Sequence, residues 1–241
     1  MDNRGVGNSD TPWGLYSTSE MAKEVLELLD MVGWTQQGSL HAVGVSMGGM
    51  IAQELALLIP ERIVSLTLIS STAGNKPAAP LTGLLMFAKL FFVRDTQSMM
   101  KIVIAGLYPE HYLEAPDVKG SDGKNRDRLE KDFIYRYGVT RRQSLSGRVF
   151  QTAAAIGHRV SPEKLLELDR DLSKIAIITG DLDGIVNPQR SRDLHGFLPH
   201  SEFILFEGGG HALPSQYSDR LNTTIERIIE EGKQRLSSRE K

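Results

Sequence analysis

Three residue types in the 241-residue sequence have the chemistry and spacing to cut an acyl bond. The first is Ser46, set in Gly44-Val45-Ser46-Met47-Gly48-Gly49. A serine flanked by glycines two positions before and after it fits a strained strand-to-helix turn, which tolerates only small neighbours while it pushes the hydroxyl outward. With 23 glycines in the chain, the pattern alone does not carry the assignment. Its context does more. The apolar run Ser39–Val45 precedes it, and Met47–Ile59, stopped by Pro60, reads as a helix. The amino end of that helix would aim its free N–H groups at a developing oxyanion.

A serine hydroxyl is a poor nucleophile until a base removes its proton, so such a turn calls for a histidine and an acid downstream. Gly180-Asp181-Leu182-Asp183 follows the β-branched run Lys174–Thr179, and Gly208-Gly209-Gly210-His211 follows Glu202–Phe206. Each motif puts ionisable groups on a loop at a strand's carboxyl end, where open α/β sheets build their sites. Either aspartate satisfies this requirement. The remaining histidines, His41, His111, His158, His195 and His200, lack any H-E-x-x-H or similar spacing and read as surface or packing residues rather than metal ligands.

The elements that must hold these groups alternate. Ser17-Thr18-Ser19-Glu20 has the form of a capping box and opens a helix predicted over 18–32, with Gly33 as its stop. Strands are predicted at 39–45, 62–69, 174–179 and 202–206, and further helices at 188–198 and 214–236. This rhythm predicts an α/β fold with a mostly parallel sheet flanked by helices. Residues 75–168 break it with several amphipathic helical patterns and no strand. We read them as a helical cap or lid inserted into a core formed by 1–74 and 169–241. The most apolar piece, Leu81–Val93, is too short to span a bilayer and contains Lys89. The tail Glu230–Lys241 reads as a fraying helix end.

Composition narrows the function classes. A formal net charge of −2, from 28 basic and 30 acidic residues, offers no basic surface for nucleic acid and no polybasic anchor for a membrane, and makes a small molecule the expected partner. The absence of cysteine excludes thiolate metal sites and thiol nucleophiles. Together with a polar start lacking an apolar segment, it leads us to expect a cytoplasmic protein.

At this point the chain resembles the α/β-hydrolase-fold superfamily, specifically its lipase, esterase and proline-iminopeptidase-like serine hydrolases. Asp2–Asp10 (DNRGVGNSD) is similar to that group's D-x-R-G-x-G-x-S loop, GVSMGG to its nucleophile elbow, GDLDGIVNP to its acid loop and GGGHA to its histidine loop. The resemblance implies Ser46 as nucleophile, His211 as general base and then acid, and Asp183 as orienting carboxylate, since the family's acid usually stands three residues after the loop glycine. It implies the Met47 N–H as an oxyanion donor, an ester or related acyl substrate, and no cofactor.

In the family the D-x-R-G-x-G loop follows the fourth strand, whereas here Asp2 follows Met1. The resemblance therefore implies a chain lacking the amino-terminal strands and the loop that supplies the second oxyanion donor. The 39–45 strand would then be an apolar edge open to self-association. A catalytically impaired or silent hydrolase-like protein, or a binding module, is the alternative expectation; acyl transfer, perhydrolysis and carbon–carbon cleavage are chemical variants of the first.

Overall fold

The computed structural model describes residues 2–120 and 122–239. In chain order the elements are α1 (Thr18–Met31), β1 (Leu40–Val45), α2 (Met47–Leu58), β2 (Ile63–Ile69), α3 (Leu81–Phe92), α4 (Thr96–Leu107), α5 (Glu110–Glu114), α6 (Asn125–Val139), α7 (Leu145–Gly157), α8 (Pro162–Asp171), β3 (Lys174–Gly180), α9 (Pro188–Phe197), β4 (Glu202–Phe206), α10 (Leu213–Gln216) and α11 (Ser218–Arg239). Ser17 caps α1 in the expected capping box with Glu20, and Gly33 follows the helix at φ +75°.

The four strands form one parallel sheet in the order β1-β2-β3-β4, with Val45 beside Ile69, Ile69 beside Ile178, and Thr179 beside Leu205. β2 and β3 are buried along their whole length, as central parallel strands covered on both faces should be. Side chains of β3 alternate between two cores. Ile175 and Ile177 join Leu66, Leu68, Leu55, Leu165, Leu168 and Leu194 under α1, α2, α8 and α9. Ala176 and Ile178 join Phe206, Leu221 and Ile228 under α10 and α11. β1 is the edge of the sheet among the described residues, and Val43 is exposed there.

α3–α7 lie between β2 and β3, where the helical insertion is predicted. A separate cluster of Met100, Ile104, Tyr108, Tyr112, Leu113 and Leu129 packs α4, α5 and α6 together. α8 begins inside the predicted insertion and runs past its boundary, with Leu165 and Leu168 in the main core. The single helix expected over 214–236 is broken at Tyr217, because Gln216 and Tyr217 turn their side chains toward the loop that follows β4. The two last residues of the tail, Glu240 and Lys241, lie outside the described residues; up to Arg239 the tail is helical.

Arg4 pairs with Glu24 of α1 and lies over the Tyr16 ring. This ties the amino-terminal loop to the first helix. Ser9 donates to the Asp2 carbonyl at 2.6 Å, and the Asp10 carbonyl accepts from Gly5 N–H at 2.7 Å, closing the loop as a turn.

Candidate functional site

β1 ends at Val45, and the chain reverses at Ser46 into α2. Ser46 has φ 54° and ψ −121°, a conformation that costs a non-glycine residue on the order of 1–3 kcal/mol and persists only where the surroundings impose it. The surroundings do so here. The Ser46 N–H donates to the Ile69 carbonyl at 2.8 Å, while its own carbonyl accepts from the Ser71 hydroxyl at 2.9 Å and from Gly49 N–H at 3.0 Å. A Cβ on Gly44 would sit 2.3 Å from the Gly48 carbonyl oxygen, and one on Gly49 would sit 2.6 Å from Ser71 Oγ. A Cβ on Gly48 would meet nothing within 4 Å, so the crowding falls on Gly44 and Gly49 rather than on both glycines of the motif. The Ser46 hydroxyl is half-buried and makes no hydrogen bond among the described residues. At the head of α2 the Met47 N–H likewise has no acceptor among them.

Asp183 and His211 come together on the loops after β3 and β4. His211 Nδ1 lies 2.8 Å from Asp183 Oδ2, and both residues are buried. The other carboxylate oxygen of Asp183 accepts from Ile185 N–H and Val186 N–H, each at 2.9 Å. These backbone donors fix the orientation of the carboxylate. With Nδ1 held by the acid, Nε2 is the ring nitrogen that has no hydrogen-bond partner among the described residues. Asp181 is exposed and does something else: it accepts from Gly209 N–H at 3.2 Å and braces the histidine loop. Because the sheet is parallel, the carboxyl ends of β1, β3 and β4 lie at the same end of it, with β2 between Ser46 and the acid–histidine pair.

Two supports of the histidine loop were not legible in the sequence. The buried Gln216 spans it, accepting from Gly210 N–H at 2.8 Å and donating to the Gly208 carbonyl at 2.7 Å. The helical insertion clamps it from outside: Ala212 N–H donates to the Leu107 carbonyl at 3.2 Å, and the Tyr108 and Ser215 hydroxyls meet at 2.5 Å. His111 packs against Gly208 in the same region. Ser70, at the end of β2, is a second non-glycine residue at positive φ (48°), and its buried hydroxyl has no partner among the described residues.

The other histidines lie elsewhere. His158 is buried where α7 ends, with Nδ1 2.8 Å from the Thr18 hydroxyl. Burial, with the nearby Arg159 charge, pushes its pKa down to about 4. His41 pairs with Ser65, His195 with Ser201 and His200 with Asp169. Among the described residues no group of three or more His, Asp or Glu is placed to hold a metal, and no helix is long and apolar enough to cross a membrane. A cavity of about 810 Å³ opens at the opposite end of the sheet between α8 and α11, lined by residues such as Arg170, His200 and Arg235. None of Ser46, Asp183 or His211 lines it.

Known proteins resemble the chain along most of its length. The RutD protein of Stutzerimonas stutzeri, which carries a provisional designation as a carbamate hydrolase, is 25% identical over 91% of this chain and 77% of its own. Rhodomycin D methylesterase DnrP of Streptomyces peucetius is 26% identical over 93% of this chain and 78% of its own. Among solved structures, a thermophilic esterase from Thermogutta terrifontis superposes with a TM-score of 0.71 at 21% identity, covering 96% of this chain and 78% of that one. A meta-cleavage product hydrolase from Pseudomonas fluorescens reaches 0.74 at 19% identity, covering 95% and 78%. Residues 1–215 match the family described as alpha/beta hydrolase fold, and the chain belongs to that family.

Proposed function

We propose that the protein is a serine hydrolase of esters or related acyl compounds. The observation that carries this reading is the 2.8 Å bond between buried Asp183 and His211, at the same end of the sheet as Ser46 in its strained turn. In this scheme Ser46 Oγ attacks the substrate carbonyl carbon, and its proton passes to His211 Nε2. The oxyanion that forms faces the Met47 N–H and the amino end of α2. Asp183 holds the Nδ1 proton and stabilises the imidazolium. Collapse of the intermediate expels the alcohol or amine, which takes the proton from His211, and leaves Ser46 acylated. Water, deprotonated by His211, then attacks the acyl carbon and releases the acid. The relatives named for carbamate and methyl-ester hydrolysis support a carbonyl substrate with a small leaving group.

The test is labelling of the purified chain with a fluorophosphonate, beside Ser46→Ala, followed by hydrolysis of a p-nitrophenyl ester panel. Labelling that disappears in Ser46→Ala, with burst kinetics on the esters, is the expected result. Absence of labelling at any pH between neutral and alkaline overturns the reading and leaves a binding role for the fold.

A further inference from the structure

α3 carries an apolar face that nothing in the described structure covers. Leu81, Leu84, Leu85, Ala88 and Phe92 recur at the spacing of one helical face, and all are exposed. The exposures are 71% for Leu81, 55% for Leu84, 53% for Leu85 and 85% for Phe92, and these residues lie together on one helical face rather than singly.

Charge indicates what this face meets. From Asn75 to Arg94 the sequence contains no Asp or Glu, and its charged residues are Lys76, Lys89 and Arg94. Lys89 and Arg94 are exposed and form no ion pair with described residues, whereas Lys76 lies 3.3 Å from Asp193. The asymmetry extends to the whole molecule. Residues 75–168 hold fifteen Lys and Arg against ten Asp and Glu, while the remainder holds thirteen against twenty. The insertion is therefore cationic and the sheet domain anionic, so an anionic surface would attract the molecule insertion first. At twelve residues, α3 is about 18 Å long, too short to cross a bilayer core and suited to lying along its surface.

We propose that α3 seats the protein on anionic phospholipid, with Leu81, Leu84, Leu85 and Phe92 entering the acyl boundary and Lys89 and Arg94 meeting the headgroups. The segment entering α3 is tied to the site, since Asn187 N–H, in the acid loop, donates to the Ala78 carbonyl at 2.9 Å. Seating α3 therefore brings the Asp183 loop close to the lipid surface. The proposal is independent of catalysis by Ser46, because its readout is partition.

The experiment is co-sedimentation of the full chain with vesicles of phosphatidylcholine and phosphatidylglycerol in about equal parts, beside pure phosphatidylcholine. We expect binding to the mixed vesicles that falls at least roughly tenfold in Leu84→Ser/Leu85→Ser and about fivefold for each of Lys89→Gln and Arg94→Gln, and that weakens with added salt. All substituted residues are exposed, and unchanged circular dichroism checks the fold. Failure to bind mixed vesicles, or binding indifferent to the paired serine variant, overturns the proposal. So does a lipid-free dimer abolished by that variant, which would make a second copy the occupant. A changed acyl-chain-length preference in that variant with vesicle binding unaltered would make α3 a wall of the substrate pocket, and also overturns it.

Discussion

Asp183 Oδ2 and His211 Nδ1 stand 2.8 Å apart in a setting where both residues are buried and the second carboxylate oxygen is held by two backbone N–H groups. The carboxylate can therefore set the imidazole tautomer. Replacing Asp183 with Asn leaves the shape and removes the charge, so kcat/KM on an activated ester should fall by about 10⁴-fold. Asp181→Asn, which loosens one backbone bond on the histidine loop, should cost less than about tenfold. Steady-state kinetics on the two variants distinguish the acids; equal losses would contradict the assignment.

Gln216 should matter through kcat rather than KM. Gln216→Leu leaves Gly210 N–H and the Gly208 carbonyl without their partner, at a cost of about 1–3 kcal/mol in stability. Because these groups lead directly into His211, proton transfer should suffer while the substrate is still bound. We expect kcat to drop at least roughly tenfold with KM within about twofold, and thermal unfolding to move down by a few degrees. A loss confined to KM would place the residue in substrate binding instead.

The crowding around Ser46 makes two neighbouring glycines unequal. Gly44→Ala drives a methyl into the Gly48 carbonyl and should cost about 3 kcal/mol, read as a lower urea midpoint. Gly48→Ala enters open space at the head of α2 and should change stability by no more than about 1 kcal/mol, with a gain possible from helix propensity. Equal destabilisation by the two would show that the motif's symmetry, rather than local packing, governs the turn.

Acid should destabilise the protein through His158. Its pKa is about 4 in the folded chain, against 6.5 for an ordinary histidine, so the unfolded chain binds the proton more tightly. The stability associated with neutral His158 is complete above pH 6.5 and is lost as the pH falls toward 4. The full span is about 3 kcal/mol. Glu54, 3.9 Å away, and Arg159 face the same ring, and burial keeps the Glu54 carboxyl above its usual range. His158→Gln should flatten the urea-unfolding free energy between pH 6.5 and 4 by about one proton. An unchanged slope would assign the acid sensitivity to other groups.

The strands and most helices were readable because their signals are local: Ser17 and Glu20 announce α1, Pro60 closes the region after α2, and β3 is a β-branched run beginning at Lys174. The glycine motif around Ser46 was readable for the same reason. Choosing Asp183 over Asp181 needed a family resemblance, since two carboxylates two residues apart look alike until the loop's turn sends one inward to His211 and the other to Gly209 N–H. Gln216 could not be found at all: one glutamine on a helical pattern has no spacing that reveals a backbone loop folded back over it. Nor did the burial of His158 show, because it follows from Thr18, 140 residues away, packing against the end of α7.

The sheet order has a consequence for how the chain reaches its folded state. β2 and β3 are neighbours, yet the 104 residues from Ser70 to Ser173 separate them. The turn at Ser46 is made within a compact stretch of chain, from β1 through β2, whereas the Asp183–His211 pair belongs to a second stretch that joins only after that long loop has closed. Non-local closures of this kind are slow relative to local ones. The strained serine turn can thus form before the Asp183–His211 pair reaches its end of the sheet, and in the proposed hydrolase docking of β3 on β2 is the folding step that would turn an inert hydroxyl into a nucleophile.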